Sequence, residues 1–221
     1  FGIYSVVGGV VAMFTIISGA LNSAVQRFIT FEMGKGPQAQ LNKVYSTAVT
    51  IQIILAAIIV IIAEPVGLWF IRNEMTIFPD RIPAAEWVLH FSLLAFVINL
   101  MSVPQMASIT AHEKMSAYAY IGILDGLLRL GTALLIMYSG GERLVQYAAL
   151  MALTVIVVRA AYGIYCRRHF EECRYRAIFD KKLIGEMFSF AGWNFVGVTS
   201  GVLRDQGGNI LVNIFSGPAV N

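Results

Sequence analysis

The sequence predicts an all-α, polytopic transmembrane helical bundle, and three observations carry that prediction. Hydrophobic residues make up 57% of the 221 positions and charged residues only 13%, with a mean hydropathy of +0.71. Soluble domains carry about 25% charged residues. Residues 44–63, VYSTAVTIQIILAAIIVIIA, run for twenty positions without a charged side chain. At about 1.5 Å rise per residue, a helix of that length crosses about 30 Å of hydrocarbon. Comparable stretches, uncharged or nearly so, occupy 1–26, 87–111, 115–141, 144–166 and 187–203, and another begins at 207. Unpaired backbone groups are costly in lipid, so spans are helices or closed barrels. Continuous runs of this length exclude the alternating ten-residue strands of a barrel.

The pattern places helices at 2–26, 43–63, 85–111, 116–138, 144–165 and 183–204, then at 207 the start of another: about six helices plus the start of a seventh. The first ends on a polar face of Asn22, Ser23 and Gln26, closed by Arg27. After the second, residues 64–83 contain Pro65, Pro79 and Pro83 with Trp69 and Phe70, which predicts a short interfacial helix and a turn at headgroup level. In the third, Pro104 predicts a kink and a freed carbonyl. Glu86 and His90 stand one turn apart near its outer end, as an interfacial hydrogen bond or a proton-responsive pair.

The fourth segment carries Asp125 and Arg129 at i and i+4, the favoured acid-before-base order, beside a GxxxG of Gly122 and Gly126 that permits close helix approach. In the fifth, Arg159 has no carboxylate within four residues and lies about two turns from a basic loop. Its long stem can snorkel to that surface, or the group can face a cavity. The sixth shows a polar face of Asn194, Thr199 and Ser200, closed by Arg204. Cys166 and Cys173 flank RRHFEE at a spacing that matches no common metal site, and read as free thiols.

Charge orients the bundle. The connections holding Arg27, Lys35, Lys43, Lys114, Arg167, Arg168, Arg174, Arg176, Lys181 and Lys182 all fall on one side, whereas the other side holds only Arg72, Arg81 and Arg143. The positive-inside rule makes the richer side cytoplasmic and starts Phe1 on the outer side. This distribution accounts for the net charge of +3 and pI near 8.9 without a nucleic-acid partner. The first apolar run is too long for a signal peptide and lacks a basic leader. The chain stops in mid-pattern at SGPAVN, so it reads as an internal part of a larger protein, lacking a first helix.

No connection exceeds about twenty residues, and the chain contains no P-loop, HExxH or GxSxG pattern and no paired carboxylates on an accessible loop. The expectation is therefore not an enzyme, with no cofactor and no metal. Chemistry is to be sought among charges inside the spans, each costing about 2.5–3.5 kcal/mol at mid-helix unless partnered or hydrated. Asp125 and Arg129 form either a self-neutralising structural pair or an acid orienting a base toward an anion. Were several arginines to face one interior, the cavity would suit an anionic head group such as a pyrophosphate, which guanidinium binds bidentately. Helical order around a bundle is not legible in one chain.

The segment GALNSAVQRFITFEMGKGPQAQLNKVYSTAV, with Arg27-Phe28, a Glu32-to-Gly36 loop and a Val-Tyr-Ser-Thr helix opening, resembles bacterial polysaccharide and O-antigen flippases of the Wzx type. The end of the chain, SFAGWNFVGVTSGVLRDQGGNILVNIFSGPAVN, is similar to that family's start of a later repeat half. The family belongs to the multidrug/oligosaccharidyl-lipid/polysaccharide exporter superfamily. The resemblance implies that 1–204 is the first lobe of a MATE-like two-lobe transporter, without its first helix, and that 205–221 begins the second lobe. It implies translocation of undecaprenyl-pyrophosphate-linked oligosaccharide across a bacterial inner membrane by alternating access, alongside other polysaccharide assembly proteins. It favours Arg27, Arg129, Arg159 and Arg204 as substrate-binding candidates, with Asp125 as a coupling or orienting group and Asn22, Gln26 and Asn194 as a polar cavity face.

A cation-coupled drug or metabolite exporter of the same superfamily would want more buried acids than Asp125. A polymerase or glycosyltransferase of the same pathway would want a long outer loop, and a scaffold of the assembly complex is a further class. The topology yields a first prediction: single cysteines at Lys181 and Arg81 label from opposite faces of the membrane, Lys181 from the cytoplasm. Labelling in the reverse sense would overturn the orientation.

Overall fold

A computed structural model describes the backbone of residues 2–36, 40–73, 82–138, 143–178 and 180–216, and within these ranges the side chains between 18 and 201 except those of 138, 143 and 144. Six helices follow one another: α1 (Gly2–Met33), α2 (Leu41–Asn73), α3 (Ile82–Ala111), α4 (Met115–Tyr138), α5 (Arg143–His169) and α6 (Lys181–Ser216), with a short 3₁₀ turn at Glu171–Cys173. Four helical stretches among the described residues are long and apolar enough to cross a membrane: Leu41–Asn73, Ile82–Ala111, Met115–Met137 and Val145–His169. Ile61, Leu127, Leu135 and Met137 point outward, as lipid-facing positions do.

The central helix is α3, which packs against α5, α1 and α2; α6 leans on α1 and α4 on α5. Leu21, Val25 and Ile29 of α1, Ile51 and Ile59 of α2, and Phe96, Leu100 and Val103 of α3 make the main core. The α3–α5 contact is polar at its centre. Pro104 has no N–H, so the Leu100 carbonyl four residues earlier lacks its helical donor. Arg159 of α5 enters the same turn, donating to the Met101 carbonyl and, at 2.5 Å, to Gln105 Oε1. Gly163, a turn along α5, faces the Gln105 amide without a side chain to obstruct it, and the Cys166 thiol lies 3.5 Å from the Gln105 carbonyl. Arg159 therefore does not snorkel. The Met101 carbonyl and the Gln105 amide on the facing helix take the charge instead.

Four other local expectations are corrected. The helix does not stop near residue 63: α2 continues through Pro65 to Asn73, because a proline in a membrane helix removes one backbone bond without ending the run. It crosses α3 closely at Gly67, where an added Cβ would lie 2.8 Å from Leu89 Cδ2. Glu86 and His90 do not pair with each other. Glu86 accepts from Arg72 Nε at 2.7 Å and His90 lies 3.5 Å from Glu64, so both join α3 to α2. The separate helix expected from 207 is continuous with the one before it, since Arg204-Asp205-Gln206 contains no proline and Arg and Gln favour helix. The GxxxG of Gly122 and Gly126 has no helix against it: nothing lies within 4 Å of a Cβ built at either.

The basic connections gather at one end. Asn42 Nδ2 donates to the carbonyls of Glu172 and Arg174 at 2.9 and 2.6 Å, and the Arg176 N–H donates to Ser46 Oγ at 3.1 Å. Glu172 also pairs with His112, whose ring stacks on Phe170 with centroids 4.2 Å apart. Lys43 reaches Asp180 at 2.7 Å; that bond and the Leu183 N–H hold the Asp180 carboxyl below the usual aspartate range. The α3–α4 turn is closed by bonds from Glu113 N–H to the Thr110 carbonyl and from Lys114 N–H to the Ile109 carbonyl, with Glu113 at φ 56°. Cys166 and Cys173 are buried free thiols.

The Arg159 contact yields a second prediction. Arg159→Ala lowers stability by about 1–3 kcal/mol by leaving buried acceptors without a donor. Gln105→Ala combined with it adds less than the sum of the two, as a shared network requires. Full additivity in detergent unfolding would refute the coupling.

Candidate functional site

A cavity of about 360 Å³ opens between α1, α3 and α5, with α4 contributing one residue, Arg129. Its polar lining comes from Ser18 and Asn22 of α1, Ser92 and Asn99 of α3, and Arg129; Phe91, Phe96 and Met151 supply apolar walls. Helical periodicity makes the α3 wall: Ser92, Ala95 and Asn99 stand at i, i+3 and i+7, so two polar groups and a small one share a stripe. Counted along α1 and α3 from the basic end, Asn22, Asn99 and Ser92 lie about 16–28 Å deep. The site thus occupies membrane depth.

Arg129 is held in place from its own helix. Its Nε donates to both carboxylate oxygens of Asp125, at 3.0 and 3.1 Å. The rest of the guanidinium has no hydrogen-bond partner among the described residues, and its side chain is half exposed at the cavity. The pair is electrically neutral as a whole but presents its donor end. Opposite, Asn22 Oδ1 is buried without a partner, a lone acceptor aimed at no described donor. Donors and acceptors that lack protein partners in an apolar setting favour a ligand or water that supplies them.

Of the sequence candidates, Asn22 and Arg129 line this cavity, with Asp125 joined to it through Arg129, and the others lie elsewhere. Arg27 lies on a different cleft, between α1 and α6, with its guanidinium 4.2 Å from the centre of the Phe190 ring. Arg159 is bound to the α3 backbone. Asn194 Nδ2 donates to the Ala20 carbonyl at 3.1 Å and so fastens α6 to α1. Gln26 is partly buried and lines neither cleft. The Arg204 side chain lies outside the described residues. Sequence reasoning missed Ser92 and Asn99, although their seven-residue spacing in an otherwise apolar run was a usable signal. It also missed Gln52, fully buried on α2 with neither end of its amide bonded among the described residues.

This geometry yields a third prediction. With Cys166 and Cys173 replaced by Ala, Asn99→Cys reacts with water-soluble thiosulfonates, and several-fold faster with a sulfonate-bearing reagent than with a trimethylammonium one. Arg129→Gln removes that preference. Faster reaction with the cation would show that Asp125, not Arg129, sets the local field.

Comparison with protein-family models, with curated proteins and with solved structures finds no match. The chain's own residues establish a polytopic α-helical membrane protein with four helices, among the described residues, of spanning length and composition, an architecture consistent with membrane transport.

Proposed function

We propose that the protein is a flippase for lipid-linked oligosaccharide, carrying an undecaprenyl-pyrophosphate-linked glycan across a bacterial inner membrane by alternating access. The observation that carries this reading is the Arg129 head, oriented by Asp125 at the edge of a cavity lined by amides and hydroxyls. A guanidinium suits a phosphate, and Asn22, Asn99 and Ser92 offer the donors and acceptors that sugar hydroxyls take. The volume of about 360 Å³ falls within the range of small-molecule sites, enough for a polar head group while the lipid tail stays in the bilayer.

In this reading 1–204 is the first lobe and 205–221 leads into the second, as the resemblance of the two quoted segments implies. Arg204 serves the substrate at another stage of its path, and Arg159 holds the frame. No step of the reaction is enzymatic. A cation-coupled exporter would need an acid free to take the cation, and Asp125 is bonded to Arg129. The resemblance also implies association with other polysaccharide assembly proteins.

Complementation tests the proposal. In a flippase-deficient bacterium, the complete gene carrying this chain restores surface polysaccharide and clears the cytoplasmic-side lipid-linked intermediate. Arg129→Ala lowers surface polymer at least severalfold at unchanged membrane level. An inserted protein that leaves the intermediate trapped across a panel of glycans, or normal polymer with Arg129→Ala, would overturn it.

A further inference from the structure

The second cleft, between α1 and α6, has a different chemistry. It encloses about 740 Å³ and begins at the basic end of the bundle, where Lys181 and Lys182 open α6. From there it descends past Arg27 and Phe190 to Trp193, which lies twelve residues into α6, about 18 Å along its axis. Lys181, Lys182 and Phe31 thus lie at the rim, Arg27 below them, and Phe190 and Trp193 deepest. Trp193 is 76% exposed, so the deep wall faces outward.

Charge balance at this cleft is positive. Arg27, Lys181 and Lys182 face it with Glu186 as the one carboxylate of its lining. The neighbouring acids are already engaged, Glu32 by Lys35 at 2.5 Å and Asp180 by Lys43 at 2.7 Å. None of Arg27, Lys181 and Lys182 has a carboxylate partner among the described residues. Arg27 instead rests on the face of Phe190, a contact that orients the guanidinium without neutralising it. Asp180 accepts from the Lys182 and Leu183 N–H groups at 2.9 and 3.1 Å, which fixes the start of α6 and hence where the two lysines emerge.

A cationic rim over an apolar slot at the membrane surface matches one class of molecule. We propose that this cleft binds an anionic glycerophospholipid of the leaflet on the basic side, with its phosphate among Arg27, Lys181 and Lys182 and an acyl chain along Phe190 and Trp193. Basic pockets between helices at that surface suit anionic head groups, and the slot is open sideways to the bilayer where such lipids are abundant. The inference stands apart from the transport reading, because it uses a different cleft and asks only for a resident lipid.

Trp193 reports on it directly. The chain has three tryptophans, so Trp69→Phe and Trp87→Phe leave Trp193 as its reporter. The protein is placed in nanodiscs of phosphatidylcholine in which a rising fraction is replaced by a dibrominated lipid, either phosphatidylglycerol or phosphatidylcholine. Brominated phosphatidylglycerol quenches Trp193 at about a tenth of the mole fraction needed with brominated phosphatidylcholine, the order expected from two net positive charges at a membrane surface. Lys181→Gln with Lys182→Gln, exposed at a helix start, cuts that preference severalfold; adding Arg27→Gln abolishes it and Arg27→Lys partly retains it. Equal quenching by both lipids would overturn the proposal, and so would a preference unchanged in the double and triple variants. Absence of quenching by either lipid would also overturn it, by showing that a protein segment or a second copy covers the cleft.

Discussion

The bundle depends on one guanidinium given to the backbone of a proline-containing helix. Pro104 lies within α3 on the face packed against α5, and in the same turn Arg159 crosses from α5 to the Met101 carbonyl and the Gln105 amide. A charged group inside a span is costly unless partnered, and these two acceptors partner this one. Because α3 also carries α1 and α2, the position of four helices follows from this join.

At the basic end a second set of bonds does related work in water. The segment after α5 lies across the start of α2 and the end of α3, secured by Asn42, Ser46, His112 and Lys43. These partners come from connections far apart in sequence, so the loop ties three helical ends rather than merely joining two. The exposed ion pairs among them contribute little energy individually. Their value is positional: they set where α6 begins, and with it the cationic rim it shares with α1.

The all-α class and the first six helices were legible because each apolar run is long and bounded by charge, a signal that depends on composition alone; the start of a seventh was not separate. Element ends were less so. Pro65 and the Arg204–Gly207 stretch read as breaks, yet a membrane helix tolerates both, since the cost of one lost backbone bond or one glycine is small beside that of ending a helix in lipid. The Asp125–Arg129 pair followed directly from i,i+4 spacing. Which arginines share a cavity did not follow, because that depends on the order of helices around α3. Thus Arg159 looked unpartnered, its partners lying 54 and 58 residues away in sequence. The buried Tyr45, Gln52 and Gln105 were silent for the same reason: an uncharged polar residue in an apolar run gives no hint of what it meets.

One helix stands outside this economy of contacts. Only 11% of the spanning window of α4 is buried, its glycines Gly122 and Gly126 face open space, and a hydroxyl contact from Thr132 to Thr154 at 3.4 Å is among its few polar ties to α5. The lipid around it is consequently a structural neighbour in its own right. α4 is held chiefly by α5, through Ala117 and Ile121 against Tyr162 and Cys166, so hydrocarbon thickness acts on its tilt more directly than on that of the central helices, and that tilt bears on how far the Arg129 head reaches over the cavity mouth. A thicker or thinner bilayer would therefore reshape the site from outside, making membrane thickness a determinant of its geometry alongside the amino-acid sequence.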